Sequence, residues 1–298
     1  KNYLEYSKPV TKALEKNQPI IALESTIISH GLPYPQNIEV AKRLVSIAKD
    51  NGVIPATICL LNGKIKIGLN ENELGLLAKS DNIEKVSRRD IGRVISQKKI
   101  GATTVAASIT IANWVGIKVF ATGGIGGVHR SVDSSFDISN DLIELSRTPL
   151  IVVSAGAKAI LDLSKTLEFL ETYGVPVYGY RTDLFPAFYS SKTKLEIDRI
   201  DSFRQIVDIY KTNSELGLNN GILIANPIPK EYEIPFDEME KYINEAIQKA
   251  KQQRVIGRNL TPFLLAELVR ITKGKSLEAN IKLVENNVKL ACEIAKEF

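Results

Sequence analysis

The chain has 298 residues, 44% of them hydrophobic and 24% charged, an ordinary globular composition with enough length to bury a full core. Its net charge of +5 comes from 39 Lys and Arg against 34 Asp and Glu spread along the chain, without the dense basic clustering of a nucleic-acid stripe. Two cysteines, Cys59 and Cys292, make neither a disulfide framework nor a metal motif, and no apolar run approaches the roughly 20 residues of a membrane span. These bounds predict a cytoplasmic protein of a reducing compartment, with a removed targeting segment left open, and they suit an anionic small substrate.

Residues 4–16 predict a short helix, and Pro19 to Glu24 is an apolar run that ends abruptly in a carboxylate. A polar, proline-punctuated segment carrying His30 follows. The spacing of Ile38, Ala41, Leu44, Val45 and Ala48 predicts a helix over 36–50. Two apolar runs flank Asn62-Gly63, the strongest short-range signal for a hairpin. After a helix over 72–79 comes a basic knot, KVSRRD (85–90), leading into an amphipathic segment. Residues 101–116 are small and apolar and read as a buried, alanine-rich helix.

From there strands at 118–121, 150–154, 175–180 and 222–225 alternate with helices at 139–147, 157–173 and around 201–214. Three helices close the chain, over 236–254, 261–273 and 276–297. In the last of them Leu277, Ile281, Val284, Val288, Ala291 and Ala295 form an apolar stripe. Strands joined by long helical connections imply crossovers and a largely parallel sheet covered on both faces. The expected architecture is a single domain over 1–298, α/β, three-layer α/β/α, with a largely parallel (mixed) sheet and a helical C-terminal third.

Ala121 to Leu142 stands out within this pattern. It packs glycines, His129, Arg130 and three aspartates between two apolar runs, as a ligand loop at a strand's carboxyl end does. It is no dinucleotide fingerprint, because Gly124-x-Gly126 meets His129 where the third glycine belongs. Gly274-Lys-Ser276 likewise lacks the upstream glycine of a phosphate loop, since Val269 stands there. His129, Asp133 and Asp137 lie close together and suit a hard cation such as Mg²⁺ or Mn²⁺, although Asp137 and Asp141 fit turns and helix caps equally well.

Lys158 follows a buried-strand sequence and opens an expected helix. The macrodipole and apolar neighbours there favour a neutral, nucleophilic amine, against the plainer reading of a snorkelling surface lysine. Glu24 at its strand end suits a general acid or a hydrogen-bonded structural group. Lys85 with Arg88 and Arg89 suits a phosphate grip or a solvated charge run.

Several blocks taken together resemble a known family. ALESTIISHG (22–31), KVSRRD (85–90), GATTVAASI (101–109), FATGGIGGVHR (120–130), FDIS (136–139), SAGAKAILDL (154–163), ANPIP (225–229), TPFLL (261–265) and ANIKLVENN (279–287) are similar to pseudouridine-5′-phosphate glycosidase, the group that includes indigoidine synthase A-like proteins. The resemblance runs from about residue 5 to the C-terminus. It implies a lyase of the hydro-lyase type, a pseudouridylate synthase, that reversibly cleaves pseudouridine 5′-phosphate to uracil and D-ribose 5-phosphate in nucleobase catabolism.

By the same resemblance Lys158 is the nucleophile, forming an imine with the ring-opened ribose, and Glu24 is the proton donor. Asp137 holds Mn²⁺ or another hard divalent cation, with waters completing its shell. Lys85, Val105, Ser139, Asn140 and Asp141 match substrate-binding positions, and Thr122, His129 and Asn280 match further polar positions. Asn140 departs from the small residue expected there. The resemblance also implies a homotrimer acting on a small molecule, with neither nucleic acid nor membrane as partner. An aldolase-like Schiff-base lyase and a nucleotide- or RNA-binding protein are the competing readings.

Overall fold

In the computed structural model, which describes residues 2–298, the chain begins with a short strand, β1 (Leu4–Tyr6), before helix α1 (Lys8–Glu15). The single helix expected over 4–16 is thus divided, because Leu4 to Tyr6 pair in parallel with a later edge strand. Then follow β2 (Ile20–Leu23), a π-helical turn (Ile27–Gly31), α2 (Gln36–Asp50), β3 (Ile54–Leu61), β4 (Lys64–Ile67) and α3 (Glu71–Lys79). The β3–β4 hairpin turns at Asn62 and Gly63, with φ of 52° and 77°, the left-handed pair of a type I′ turn.

β5 (Glu84–Val86), α4 (Ile91–Ser96) and β6 (Gly101–Thr103) come next, then α5 (Val105–Trp114). The helix expected from 101 starts four residues later, since Gly101 to Thr103 are drawn into the sheet between β5 and β3. β7 (Val119–Ala121), β8 (Val128–His129), α6 (Val132–Ser135), α7 (Asn140–Leu145) and β9 (Ile151–Ser154) continue the chain. β10 (Leu161–Asp162) replaces the beginning of the helix expected over 157–173, leaving α8 (Leu163–Thr172). β11 (Val177–Tyr180), β12 (Asp198–Ile200), α9 (Phe203–Glu215), β13 (Ile222–Ala225), α10 (Phe236–Gln252), α11 (Leu260–Ile271) and α12 (Lys275–Ala295) complete it.

The sheet runs β1-β4-β3-β2-β7-β9-β13-β11-β12, with β6 and β5 branching from β3. From β3 to β12 every neighbouring pair along this path is parallel. Right-handed crossovers place the helices. The step β2-α2-β3 moves one way along the sheet, while β7-α7-β9 and β9-α8-β11 move the other way, so α2 covers the face opposite to α7 and α8. The return step β11-α9-β13 brings α9 back to the face of α2, and α12 packs between them across β2, β7 and β9.

α12 is buried well beyond the expected stripe. Ala279, Leu283, Leu290, Cys292 and Ile294 are enclosed with it, whereas Leu277 and Ile281 are only half-buried. The first step away from β2 leads to β3 and the later chain returns to β2's other side as β7. The carboxyl ends of β2 and β7 therefore flank a topological switch point, where open α/β sheets bind ligands. No helix among the described residues is long and apolar enough to cross a membrane.

Candidate active site

A cavity of about 740 Å³ opens at that switch point. Glu24, Lys85, Val105, Thr122, His129, Asp137, Ser139, Asn140, Asp141, Lys158 and Asn280 line it together, whereas Asp133, expected beside His129 and Asp137, lies outside it, exposed on α6 and paired with Lys165 at 3.1 Å. They come from eight stretches of chain, and the sheet is what brings them to one end of the molecule.

Glu24 leaves β2 buried, 9% exposed, and its carboxylate accepts one hydrogen bond from the Thr122 hydroxyl and another from the Thr26 hydroxyl. Thr122 is the first residue beyond β7, so adjacent strands deliver the acid and its partner. Asn287, buried on α12, donates to the Thr122 and Gly123 carbonyls at 2.8 and 3.2 Å, and accepts from Asn226 beyond β13 at 3.0 Å. Neither Thr26 nor Asn287 stands out in the sequence. Thr26 was visible only as a hydroxyl two residues after Glu24, and Asn287 as one of two adjacent asparagines in an apolar helix.

Lys158 does not open a helix, so the macrodipole has no part in its environment. It sits in a turn four residues before the N-cap of α8, which is Asp162, with its own N–H donating to the Ile125 carbonyl at 3.0 Å. Ala155 N–H to Gly123 O at 2.9 Å and Ile125 N–H to Gly156 O at 3.1 Å complete a ladder that extends the β7–β9 pairing into both loops. Gly156 has φ of +80° and lies against the Pro186 carbonyl, a conformation and closeness that exclude a side chain. The glycine loop and the lysine loop are one construction.

The opposite wall is polar and cationic. Lys85 from β5, Ser87, Arg89, and Thr104 and Val105 at the start of α5 face the cavity with the Ser139–Asp141 tripeptide. Arg88 points away to Glu144, so of the knot's three basic residues Lys85 and Arg89 reach the cavity. Ser139 caps α7, its side chain accepting from the Asp141 N–H at 3.2 Å. Asp141 accepts from the Ala106 N–H at 2.9 Å and the Gly126 N–H at 2.8 Å, tying the start of α5 to the glycine loop. A Cβ on Gly126 would collide with Ser139 and meet the Asp141 carboxylate at 2.8 Å.

Burial, and then the neighbouring Lys158 ammonium, pushes the Lys85 amine below the ordinary lysine range, against the pull of Asp141, Glu24 and Asp137. His30, which also lines the cavity, is lowered by burial and by Lys85. His129 is lowered by burial, with Asp137 opposing. Crowded cations that hold their protons less tightly are what an arriving anion stabilises.

Asp137 lies 3.7 Å from His129 Nε2, with its side chain 37% exposed. No group of three or more His, Cys, Asp or Glu side chains among the described residues is arranged to hold a metal. A single carboxylate fits only a hard cation that keeps most of its waters.

The sequence profile described as "Indigoidine synthase A like protein" matches residues 9–297. A pseudouridine-5′-phosphate glycosidase of Petrotoga mobilis is 53% identical over 297 residues, 99% of this chain and 97% of its own length. One of Geobacillus kaustophilus is 52% identical over 298 residues, 100% and 99% of the two chains. Among solved structures, the prealnumycin C-glycosynthase AlnA in complex with ribulose 5-phosphate superimposes with a TM-score of 0.92 at 35% identity, covering 100% of this chain and 97% of that one. An indigoidine synthase A (IdgA)-like protein of Thermotoga maritima gives 0.90 at 39% identity, covering 98% and 95%. With its profile, its near-full-length relatives and its fold in agreement, the chain belongs to the indigoidine synthase A-like family.

Proposed function

We propose that this protein reversibly cleaves the C–C glycosidic bond of pseudouridine 5′-phosphate, giving uracil and D-ribose 5-phosphate in nucleobase catabolism. The observation that carries the reading is the meeting of Glu24 and Lys158 in one cavity, opposite a cationic wall sized for a sugar phosphate. Relatives at 53% and 52% identity that are pseudouridine-5′-phosphate glycosidases support the choice of substrate.

Cleavage to a carbon leaving group needs an electron sink at C1′, which an oxocarbenium route with two carboxylates does not supply. The Lys158 amine attacks C1′ and breaks the C1′–O4′ bond, while Glu24 delivers a proton to O4′. The ammonium formed by the attack passes a proton to the Glu24 carboxylate, the freed nitrogen lone pair forms the C1′=N bond as the C1′–C5 bond breaks, and Glu24 delivers that proton to C5 of the departing uracil. Water hydrolyses the imine, frees Lys158 and yields ribose 5-phosphate, so one water is consumed per turnover.

Lys85 and the first turn of α5 hold the phosphate dianion, and the Ser139–Asp141 tripeptide frames it. Thr122, His129 and Asn280 orient the base and sugar. Asp137 would hold Mn²⁺ or another hard divalent cation, which would supply positive charge to an anionic substrate. A homotrimer completes the proposal, to be tested by light scattering on the purified protein.

The decisive experiment combines pseudouridine 5′-phosphate, Mn²⁺ and borohydride. A pentose phosphate adduct on Lys158 is expected by mass, with free uracil appearing when borohydride is omitted. Absence of uracil from intact, metal-loaded protein overturns the proposal. Chelation is expected to lower the rate, and Asp137→Ala to abolish its recovery on adding Mn²⁺.

A further inference from the structure

Glu144 is a fully enclosed carboxylate, 0% exposed, with no part in the chemistry above. Its Oε2 accepts from Arg88 Nη1 at 2.8 Å and lies 2.9 Å from the Thr110 hydroxyl, whose one proton it shares with the Ala106 carbonyl at 2.8 Å. Its Oε1 accepts from the Asn140 amide at 3.2 Å and from the Arg147 guanidinium. Three of these four donors belong to segments that form the cationic wall. Arg88 stands between Ser87 and Arg89, Thr110 is on α5 whose first turn meets the cavity, and Asn140 lines the cavity itself.

Enclosing a carboxylate is costly, and an apolar side chain on α7 would fill the same space without that cost. Stability alone therefore gives no reason for a charge here. What the charge does is join three separate pieces of chain at one point. Arg88 is 56 residues away along the sequence and Thr110 is 34, so no local structure sets their distance from α7.

We propose that Glu144 is a positioning residue for the anionic end of the substrate, acting through Arg88, Thr110 and Asn140 to hold the cationic wall in one register. The inference rests on the reading that this wall binds the phosphate. Glu144 touches no substrate, so its loss weakens binding more than turnover. Glutamine has the right shape but presents an NH₂ where an acceptor is needed, facing either Arg88 and Thr110 or Asn140 and Arg147.

The test is Glu144→Gln, assayed by uracil release from pseudouridine 5′-phosphate and by calorimetric binding of ribose 5-phosphate, which needs no turnover. A rise of about tenfold in KM and in the ribose 5-phosphate Kd is expected, with kcat within about threefold of wild type. Arg88→Gln is expected to raise KM by a similar factor, and the double variant to be no worse than the worse single one, because both remove the same link.

A lowered Tm with KM and Kd within twofold of wild type makes Glu144 merely structural and overturns the proposal, as does a fall in kcat at constant KM. Should Glu144→Gln not fold, Arg88→Gln and Thr110→Val leave the carboxylate in place and carry the same test at residues outside the cavity, and unchanged KM in both overturns it. A wild-type protein that releases no uracil refutes the reaction instead, and the Kd for ribose 5-phosphate then decides the positioning role separately.

Discussion

The two walls of the cavity are held by different kinds of force. Glu24, Thr122 and Lys158 follow the ends of β2, β7 and β9, adjacent strands of the central sheet, and are fixed by main-chain ladders, hydroxyls and the Asn287 amide. Facing them, Lys85 is held by the parallel pairing of β5 with β6 at the sheet's branch, while the start of α5, the Arg88–Arg89 segment and Asn140 on α7 are tied together by the carboxylates of Asp141 and Glu144. A covalent step tolerates little displacement of its reacting atoms, and the rigid ends of a parallel sheet suit it. Binding a dianion calls for charge and tolerates more adjustment. The division predicts that substitutions on the sheet wall act on kcat and those on the charged wall on KM.

Lys158→Ala should have the largest effect. Uracil release and the borohydride adduct are both expected to vanish, while ribose 5-phosphate still binds, because the phosphate contacts proposed above lie on the other wall. Residual cleavage at a measurable rate would break the division at its strongest point. Glu24→Gln comes next, with kcat falling about 10²- to 10⁴-fold, the range for removing a general acid, and KM little changed. Steady-state kinetics at saturating substrate separates this outcome from a binding defect.

Lys85→Ala is the corresponding cut on the charged wall. Losing one charge-assisted hydrogen bond to phosphate, worth about 1.5–3 kcal/mol, should raise KM roughly 10- to 100-fold. A drop in kcat with KM preserved would show that the two walls do not divide the work as described.

The same contrast governs how much the sequence discloses. The hairpin at Asn62-Gly63, α2 over Gln36–Asp50 and β13 over Ile222–Ala225 rest on local chemistry and are legible to the residue. The sequence AKAILDLSKTLEFL reads as a helix opening at Lys158. Leu161 and Asp162 instead pair with β8, and the Asp162 side chain caps α8 by accepting from the Lys165 N–H at 3.0 Å. Gly101 to Thr103 look helical in composition because small residues are required there. A Cβ on Gly101 would press on Val86 and meet Val94 at 3.0 Å.

Glu24 and Lys158, to which the proposal gives the chemistry, stand out in the sequence mainly through block resemblance, and their convergence on one cavity follows from topology. Glu144 could not be found that way. A glutamate in a short helix reads as solvated, and its burial depends on donors that only the folded chain brings near.

The smallest expected effect is on pH dependence, and it bears on the charged wall alone. His30 is lowered by burial and by Lys85, so its folded form releases a proton at a pH where the unfolded chain, titrating near 6.5, still holds one. Below about pH 6.5 the unfolded state therefore binds more protons than the folded state, and stability falls as the pH falls further. One group limits this slope to about 1.4 kcal/mol per pH unit. His30→Asn should make the decline of Tm between pH 6.5 and 5 shallower, as read by calorimetric scans in matched buffers. Saturating ribose 5-phosphate should do the same to the wild type, since a bound dianion beside Lys85 favours the protonated imidazole. An unchanged slope in both experiments would mean that His30 does not share the field of the cationic wall, and would move the boundary between the two walls to Lys85.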